Sequence, residues 1–526
     1  MSLLPHLGRL TLLVAAAFPL RAQESIAPTP SKAERVVIVV WDGLRPDSVT
    51  DEATPTLAKL AREGVTFTRH HSLYPSSTEV NGTAMATGCY PGHSGLIGNR
   101  LFVPGIDPFR SVATESVATI RKGDEVTGGK YLAVPTLAEL AHAAGWRTVI
   151  AGTKNVVLLQ DRALRPEGDL ATESVVLHAG DTLPSGAIKN LNEANGAPFP
   201  VTVQLPNVVA DAWTTKALTG TLWNGTPPKL SVLWLSDPDF TQHQFGPDSP
   251  QARRALASSD NDLAAVLAAL DAKRWRDTTD LFVVSDHGFS TVGQPVDVTN
   301  ALVAAGFAAT HEYKKPPQPG EILVVGLGGS VYLYVAGHDA PTIERLTKFL
   351  QQSTFAGVVF ANGGLPGTFG LSAVHIDSPN APDVVVALRW NDDKSVTGFP
   401  GTMMSEGRKP GQGSHASLSR YELHNTLIAS GPDFRAGYRD ELPSSNLDLA
   451  PTIAHVLRLP NVPPMDGRVL GEAFAEGVAM EITKPITQRA EAARELGNTT
   501  VWRQYLQTTV YQGETYFDEG NVVTPK

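Results

Sequence analysis

Arg35-Val36-Val37-Ile38-Val39-Val40-Trp41 is, after its first residue, a continuous apolar and mostly β-branched run, and Asp42-Gly43 follows it directly. A run that is apolar at every position, rather than at alternate positions, is typical of a strand buried on both faces of a parallel sheet. Asp42 therefore falls at the carboxyl end of a predicted core strand. Ligands of open α/β sheets bind beyond that end.

Helix and strand patterns alternate after this run. A helix at 54–64 begins with Thr54-Pro55, a cap and a first-turn proline, and ends at Gly64. Further helices are predicted at 136–144 and 251–270, and further strands at 147–151, 229–235 and 280–284. This repeated order predicts an α/β fold with a mostly parallel sheet.

The second half of the chain departs from this alternation. Residues 35–295 are predicted as the first part of the core, and 296–400 as an inserted α+β cap with strands at 321–327, 330–336 and 383–389 and a helix at 340–352. The core resumes over 401–480 with a Gly- and Lys-rich loop at 403–414, a strand at 424–430 and a helix at 446–457. The tail, 481–526, is predicted as a polar helix and an aromatic segment that packs on the body of the protein.

Composition limits the class of protein. A chain of 526 residues with 42% hydrophobic content can bury a large core. Its formal net charge of -10 argues against duplex nucleic acid as a partner, because that binding relies on broad basic surfaces. A small anionic ligand is compatible with the charge, since bound metal ions set the local field of a site. Cys89 is the only cysteine, so no internal disulfide can form. The oligomeric state stays open.

The first 22 residues combine Arg9, an apolar run from Leu10 to Leu20, and Arg21-Ala22. This is the outline of a secretory signal peptide (1–22), and the apolar run is too short to span a bilayer comfortably. Residues 23–34 are interpreted as a flexible leader. We therefore expect a periplasmic or secreted protein with no stable membrane span; an uncleaved membrane anchor is the alternative.

Side chains that bind metal ions recur in five short segments of the chain. The segments are Val40-Trp41-Asp42-Gly43, Ser77-Thr78-Glu79-Val80-Asn81, Asp237-Pro238-Asp239-Phe240-Thr241-Gln242-His243, Ser285-Asp286-His287-Gly288 and Gly413-Ser414-His415. They supply three carboxylates, three imidazoles and one hydroxyl, enough for two divalent cations. The charges of three aspartates and an ionised threonine would balance two such ions in a dry site. The set predicts a hydrolytic centre built around a metal-activated hydroxyl.

Local spacing supports the convergence of these ligands. Asp239 and His243 are four residues apart and would meet on one face of a helical turn. Asp286 and His287 are adjacent, so they could share one ion only if the backbone turns there, which Gly288 permits.

Thr78 is the hydroxyl of the set. It is predicted to lie just ahead of a helix at 81–86, where unpaired N–H groups and the helix dipole favour an alkoxide and a bound phosphate. A threonine is a poor nucleophile unless a metal ion ionises it. Taken alone, Thr78 would more simply be a helix N-cap. The neighbouring ligand segments favour the nucleophile.

Taken in order, the segments resemble the type I phosphodiesterase/nucleotide pyrophosphatase branch of the alkaline phosphatase superfamily, with phosphonoacetate hydrolase relatives. The similarity also includes Ala86-Thr87-Gly88-Cys89-Tyr90-Pro91 and Leu447-Asp448-Leu449-Ala450-Pro451-Thr452, and it extends over most of residues 36–475 apart from the cap. It implies an alkaline-phosphatase-like three-layer sandwich with an inserted α+β cap. The implied function is that of an exported phosphodiesterase or nucleotide pyrophosphatase acting on a small phosphate ester.

The resemblance also implies ligands and roles. One Zn²⁺ would be held by Asp42, Thr78, Asp286 and His287, and a second by Asp239, His243 and His415. Thr78 would attack phosphorus and form a phosphothreonine intermediate, while Asn81 would bind a non-bridging oxygen. Mn²⁺ or iron is compatible with the same types of ligand.

Lys154 and Glu79 bear on the substrate. Lys154 matches the first of two lysines that grip a carboxylate in the phosphonoacetate hydrolase relatives, but Val156 stands where the second would be. A solvated surface lysine is an equal alternative. Glu79 replaces the apolar or aromatic residue that usually follows the nucleophile, which leaves the charge preference of the pocket open.

Alternatives to the leading function keep part of the same chemistry. The same site could act on phosphomonoesters, phosphonates or sulfate esters, and a protein that uses metal ions only for stability and binds a partner would turn over no ester. Four further histidines lie near the ligand segments without fitting either set and are interpreted as structural or as supporting neighbours of the ligands; they are His70, His71, His93 and His424.

Overall fold

The computed structural model describes residues 31–476, 483–497 and 500–523. The predicted signal peptide and residues 23–30 of the predicted leader lie outside the described residues. Among the residues described, no helix has both the length and the apolar character needed to cross a bilayer.

The elements are numbered in chain order. The strands are β1 Arg35–Trp41, β2 Val65–His71, β3 Arg100–Leu101, β4 Val112–Ala113, β5 Thr148–Gly152, β6 Val175–His178, β7 Asp181–Leu183, β8 Leu230–Leu235, β9 Thr279–Val284, β10 Ser290–Val296, β11 Ala309–Thr310, β12 Ile322–Gly326, β13 Ser330–Val335, β14 Ala356–Ala361, β15 Phe369–Gly370, β16 Val384–Leu388, β17 Trp390–Lys394, β18 Pro400–Glu406, β19 Gly413–Ser414, β20 Leu427–Ser430, β21 Tyr438–Ser445, β22 Ile486–Glu495, β23 Val501–Tyr511 and β24 Glu514–Val522. The α-helices are α1 Pro55–Glu63, α2 Thr78–Thr87, α3 Pro91–Ser94, α4 Val117–Thr127, α5 Leu137–Ala143, α6 Ala187–Asn195, α7 Val208–Lys216, α8 Asp239–Phe245, α9 Pro250–Ala272, α10 Val298–Ala304, α11 Ala340–Gln352, α12 Arg420–Leu423 and α13 Leu449–Leu457.

A nine-stranded sheet forms the centre of the protein, in the order β21-β2-β20-β9-β1-β8-β5-β6-β7. Strands β9, β1, β8, β5 and β6 are parallel neighbours, whereas β20 and the edge strand β7 run antiparallel to the strands beside them. The predicted mostly parallel sheet is confirmed, with β1 at its centre.

Helices cover both faces of this sheet. The even-numbered residues of β1 pack in a cluster with α2, α5 and α13, and the odd-numbered residues pack on the other face with α1, α7 and α9. Because successive side chains of a strand point to opposite faces, a strand covered on both faces has to be apolar throughout. The predicted three-layer sandwich is confirmed.

A second, six-stranded sheet has the order β11-β12-β13-β16-β14-β15. One of its faces packs on α10 and α11, and the other packs with Tyr74 and Ile97 from the first part of the chain. Its strands β12, β13 and β16 and helix α11 lie where the cap elements were expected. The limits of 296–400 for a separate cap stay a prediction.

The expected loop at 403–414 is wrong in its first part. Met403 and Met404 belong to β18, which pairs with β10 and β17. Pairing on both sides satisfies the backbone there, so the glycines and lysine mark only the later turn that leads to β19. Strand β19 pairs with β10 and ends immediately before His415.

The tail contains no polar helix in the part that the structure describes; β22, β23 and β24 form an antiparallel sheet. The segment of β22 is rich in Ala, Glu and Arg, which favour helix, but pairing along all of β23 overrides that local preference. In β23, Trp502, Gln504 and Leu506 are buried in alternation. Tyr511, Tyr516 and Phe517 are also buried, so the packing role predicted for the aromatic segment is confirmed.

Candidate metal centre

Four adjacent strands of the central sheet, in the order β9-β1-β8-β5, end at the same edge. Asp286 and His287 follow β9, Asp42 follows β1, Asp239 follows β8 in the first turn of α8, and Lys154 follows β5. Because the four strands are parallel, their carboxyl ends bring these side chains to one place.

The first ligand cluster surrounds His287. Its Nε2 atom lies 3.2 Å from Thr78 Oγ1, 3.3 Å from Asp286 Oδ2 and 3.8 Å from Asp42 Oδ1. All four side chains are buried, with at most 2% of their surface exposed. The residues predicted to hold one ion are therefore brought together.

The second cluster is centred on Asp239. Its Oδ1 atom lies 3.3 Å from His243 Nε2 and 3.6 Å from His415 Nε2, and the two nitrogen atoms are 3.2 Å apart. Asp239 and His243 meet one turn apart on α8, as their spacing predicts. The rings of His287 and His415 stack with centroids 3.7 Å apart, so the two clusters adjoin.

The donor atoms of both clusters fit divalent metal ions. Each aspartate leaves one buried oxygen without a hydrogen bond in the described chain, namely Asp42 Oδ1, Asp239 Oδ1 and Asp286 Oδ2. Each imidazole gives its Nδ1 hydrogen to a backbone carbonyl: His243 to Gly413, His287 to Gly288 and His415 to Ser76, at 3.0, 2.8 and 2.9 Å. The Nε2 lone pairs therefore face carboxylate oxygens. Two ligands of a tetrahedral Zn²⁺ are about 3.3–3.6 Å apart, which matches most of these separations.

The electrostatics of the pocket also favour bound metal ions. Burial, and next the neighbouring Asp286 carboxylate, raise the pKa of Asp42 well above its usual value. Burial, followed by His287 and His243, lowers the pKa of His415 well below its usual value. An ionised Asp42 is thus costly here without a further cation, while the imidazole of His415 stays neutral, as a metal ligand must be.

Thr78 is the first residue of α2, and the N-cap is Ser77. The helix begins earlier than the predicted residue 81, and the N-cap interpretation of Thr78 is wrong. Because Nδ1 of His287 carries its hydrogen, the Thr78 hydroxyl donates to Nε2. Thr78, the nucleophile predicted from the sequence, thus lies in the first ligand cluster and at the amino terminus of a buried helix, a position that favours a bound phosphate.

The close approach of α2 to the sheet depends on Gly82. A Cβ atom at this position would lie 3.0 Å from the Trp234 ring and 3.0 Å from Val156. Trp234 in turn donates from Nε1 to Asp42 Oδ2 at 2.8 Å. The packing that seats the nucleophile helix therefore also orients one metal ligand.

Asn81 does not face the ligands, which corrects its predicted contact with substrate. Its Oδ1 atom accepts from Leu73 N and Asn446 Nδ2, and its Nδ2 atom donates to the carbonyls of Leu73, Pro75 and Ser77. With 0% of its surface exposed, its amide is fully used inside the protein. Asn81 instead fixes the turn that precedes Thr78.

Lys154 lies inside the pocket, and its interpretation as a surface residue is wrong. Its side chain is 9% exposed, and Nζ lies 2.8 Å from Asp42 Oδ2 and 3.2 Å from Asp239 Oδ2. Burial opposes the ammonium charge, but Asp239 and Asp42 outweigh it and hold the pKa of Lys154 well above its usual value. Lys154 contacts the Oδ2 atoms of Asp42 and Asp239, and their Oδ1 atoms remain free for metal ions. The lysine and the metal ions can therefore share both carboxylates.

Sequence reasoning missed several residues that support the ligands. Asn446 Nδ2 donates to the Asp286 carbonyl at 2.7 Å as well as to Asn81 Oδ1. Ser76 accepts from His415 through its carbonyl and donates from Oγ to Glu422 Oε2 at 3.2 Å. These polar side chains belong to no motif, and only their contacts reveal them.

Asn99 was also missed. Its Oδ1 atom accepts from the backbone N–H of Glu79 at 3.2 Å, which anchors the carboxamide at the first turn of α2. Within the described chain, its amide nitrogen makes no hydrogen bond, so it is available to a group bound beside Thr78. No spacing rule in the sequence connects Asn99 to the nucleophile.

Gly288 is needed for a different reason from the one predicted. Its φ is not in the left-handed region, but a Cβ atom would lie 2.2 Å from the Tyr421 carbonyl oxygen and 2.8 Å from that of His424. Its N–H donates to the Glu422 carbonyl at 2.7 Å. Space, rather than conformational freedom, excludes a side chain here.

Comparison with known proteins identifies the family of the chain. The family model described as "Type I phosphodiesterase / nucleotide pyrophosphatase" matches residues 36–391. The chain belongs to this family. The family is metal-dependent and hydrolyses phosphoric ester bonds, in agreement with the ligand clusters of the structure.

Relatives of this family member include a venom phosphodiesterase of Macrovipera lebetinus, 24% identical over 52% of this chain and 28% of the venom protein. The matched part thus spans about a quarter of that relative. A bis(5'-adenosyl)-triphosphatase of Mus musculus is 20% identical over 82% of this chain and 78% of its own length. Among solved structures, an inactive form of murine ectonucleotide pyrophosphatase/phosphodiesterase 5 in complex with AMP has a TM-score of 0.57 at 16% identity, with 84% of this chain and 100% of that chain covered. This likeness supports the fold.

Proposed function

We propose that this protein is an exported, zinc-dependent hydrolase of phosphoric esters, a phosphodiesterase or nucleotide pyrophosphatase, with Thr78 as its nucleophile. The observation that supports the proposal is the position of Thr78 Oγ1, 3.2 Å from His287 Nε2 and beside two clusters of unpaired metal-binding atoms. A binding protein would have no need for a hydroxyl at that point.

Two ions fit the donor atoms. One would be held by Asp42, Thr78, Asp286 and His287, and the other by Asp239, His243 and His415. When bound, they supply Lewis-acid polarisation of phosphoryl oxygens and lower the pKa of a ligating hydroxyl. Mixed imidazole and carboxylate ligands favour Zn²⁺ over Mn²⁺ or iron.

The residues of the chain position the reaction. Thr78 Oγ1 forms a bond to phosphorus while the bond to the leaving oxygen breaks, and the leaving oxygen takes up the proton that the threonine loses. The phosphothreonine of a diester substrate still carries the second ester group, so its hydrolysis by water releases a phosphomonoester and restores the hydroxyl. The Thr78 backbone N–H and the Asn99 amide nitrogen would bind non-bridging oxygens. Lys154 adds a positive charge that favours an anionic substrate.

The relatives suggest the class of substrate. By their names, venom phosphodiesterases act on phosphodiester bonds, and a bis(5'-adenosyl)-triphosphatase acts on a triphosphate that joins two adenosyl groups. We infer nucleotide diesters and dinucleoside polyphosphates as candidate substrates. The names of the relatives, venom proteins and ectonucleotide enzymes, agree with the predicted export.

The decisive experiment compares bis-nitrophenyl phosphate, nitrophenyl phosphate, a phosphonate ester and a sulfate ester with the zinc-loaded protein. The diester should be turned over fastest. Thr78→Ala should abolish turnover and keep its metal content, because the other ligands remain. The matched control is Thr87→Ala, at the far end of the same helix, where the hydroxyl bonds only to the Thr83 carbonyl and Cys89 N–H. Unchanged turnover by Thr78→Ala would refute the nucleophile.

A second candidate keeps the site and changes the substrate. A buried ammonium beside two metal ions also suits a dianionic phosphomonoester or a phosphonate that carries a carboxylate, because Lys154 contributes a full positive charge. Faster turnover of the monoester or phosphonate in the same comparison would favour this candidate. If no ester were turned over with zinc supplied, the result would favour a binding protein without catalytic activity.

A further inference from the structure

A third cluster of metal-binding side chains lies outside the catalytic centre and shares no residue with it. His71, His424 and Asp518 each offer one atom, and these atoms lie within 4.8 Å of one another. His71 is the last residue of β2, His424 follows α12, and Asp518 belongs to β24 of the tail sheet. Three distant parts of the chain thus contribute to one cluster.

His71 repeats the hydrogen-bonding pattern of the catalytic histidines. Its Nδ1 atom lies 3.1 Å from the Ser444 carbonyl, which can only accept, so Nδ1 carries the hydrogen. In the neutral ring, Nε2 is then a bare lone pair. This lone pair lies 3.3 Å from Asp518 Oδ1, and within the described residues Nε2 has no hydrogen-bond partner although His71 is fully buried. Two acceptors that face each other at this distance require a cation between them.

The cation could be a second proton on His71, which would make a simple ion pair with Asp518, or a metal ion. His424 separates these possibilities. Its ring centroid lies 4.4 Å from that of His71, and one of its ring nitrogen atoms lies within 4.8 Å of the facing atoms of His71 and Asp518. An ion pair between His71 and Asp518 needs no second imidazole, whereas a metal ion gains a third ligand from it.

We propose that His71, His424 and Asp518 bind a divalent ion of the zinc class, which fastens the tail sheet to the core of the protein. Two imidazoles and a carboxylate are preferred ligands of Zn²⁺, and the 3.3 Å separation of Nε2 and Oδ1 equals that of two ligands on a tetrahedral ion, about 3.3 Å. Asp518 Oδ2 accepts from Thr509 Oγ1 at 2.9 Å, which orients the carboxylate as supporting hydrogen bonds orient metal ligands.

Nearby cations are engaged elsewhere and leave room for the ion. Arg420 pairs with Glu519 at 2.9 Å, and Arg69 donates to Thr509 Oγ1 at 3.0 Å. His424 is partly exposed, which gives an ion access to the cluster from solvent. The site would be structural, because none of its atoms approaches Thr78 or the catalytic ligands in a contact that the structure shows.

The test is the zinc content of the full-length protein, measured by mass spectrometry after equilibration with Zn²⁺ and removal of free metal. Asp518→Ala should hold one ion fewer than the wild type and should keep its turnover of bis-nitrophenyl phosphate within about twofold. The matched control is Glu519→Ala, which removes the neighbouring carboxylate of β24 from its contacts with Arg420 and Tyr505 and should lose no ion.

His424→Gln provides a second variant at a partly exposed position, should Asp518→Ala fail to fold. It too should lose one ion. Co²⁺ substitution adds a spectroscopic measurement, because the difference between wild-type and variant absorption should show a tetrahedral d–d band. Equal zinc content in the wild type and the folded variants would overturn the proposal and leave a protonated His71 paired with Asp518. The comparison counts a difference of one ion, so it does not depend on the proposed function.

Discussion

Lys154 Nζ lies 2.8 Å from Asp42 Oδ2, so an ammonium group and a predicted metal ion share one carboxylate through its two oxygens. The lysine reaches Asp239 in the same way and therefore contacts one ligand of each cluster. With two divalent ions bound, the ammonium group of Lys154 would make the net charge of the pocket more positive than it would be without the lysine. The centre is then suited to an anionic phosphoryl group.

Lys154→Met should lower kcat/KM for a phosphodiester by about 10–100-fold, the range found when partners of metal ligands are removed. The physical reason is the loss of both orientation and positive charge at Asp42 and Asp239. Steady-state kinetics with zinc in excess would measure it. The control is Lys189→Met, an exposed lysine of α6 that should leave kcat/KM unchanged. A Lys154→Met variant with wild-type kinetics would remove this lysine from the site.

Trp234→Phe should reduce turnover by about tenfold while the protein remains folded. Phenylalanine removes the Nε1 donor of Asp42 and also the outer atoms of the indole ring that lie against Gly82. Trp223→Phe is the matched control, because it removes a similar buried bond, from Nε1 to Ser231 Oγ at 3.0 Å, on the other face of the sheet. Thermal unfolding should show similar losses of stability in the two variants. Kinetics should show a larger loss of activity in Trp234→Phe than in Trp223→Phe.

Gly288→Ala should destabilise the protein by about 1–3 kcal/mol and lower its zinc content, because a Cβ atom would overlap backbone oxygens that cannot move far. Relief of the overlap has to displace Asp286 and His287. Denaturant unfolding and metal analysis would measure both effects. Gly293→Ala is the control: its Cβ would have no neighbour closer than 3.5 Å. Full zinc content in Gly288→Ala would show that the ligand turn tolerates a side chain.

Asp262→Asn should change how stability depends on pH. Burial, and next Asp211, raise the pKa of Asp262 to about 8, from 3.8. The folded protein therefore holds a proton that the unfolded chain releases, and the stability from this group is present below pH about 4 and lost as pH rises through about 8. Asparagine should gain about 1–3 kcal/mol over the wild type at pH 9 and nothing at pH 4. Urea unfolding at both pH values would measure it, with exposed Asp277→Asn as the control. An equal effect at the two pH values would contradict the assignment.

Much of the fold and the convergence of the candidate ligands could be predicted because both depend on local patterns. The apolar run of β1 predicts a central strand, and the segments that follow β8 and β9 are predicted to lie at the carboxyl ends of their strands. Asp239 and His243 meet because four residues make a helical turn. Each of these inferences needs only one segment and a general rule of sheet geometry.

The rest depends on contacts between distant segments, and no such pattern marks it. The sequence assigns Asn81 to substrate, but Asn446, far along the chain, donates a hydrogen bond to Asn81 Oδ1. Lys154 gives no sign in the sequence of the carboxylates that surround it. The segment of β22 is predicted as helix because its residues favour helix, yet it pairs with β23 along its whole length. His71 and His424 were interpreted as structural, and only the position of Asp518 gives them a candidate ion.

His415 is the last of the predicted ligands along the chain, and the whole second sheet separates it from His287. A nascent polypeptide emerging from the ribosome therefore lacks a complete ligand set until β19 has paired with β10. Partly synthesised or truncated copies would hold one incomplete cluster and bind metal weakly. The order of the segments thus delays assembly of a reactive centre until the segment that carries His415 has been synthesised.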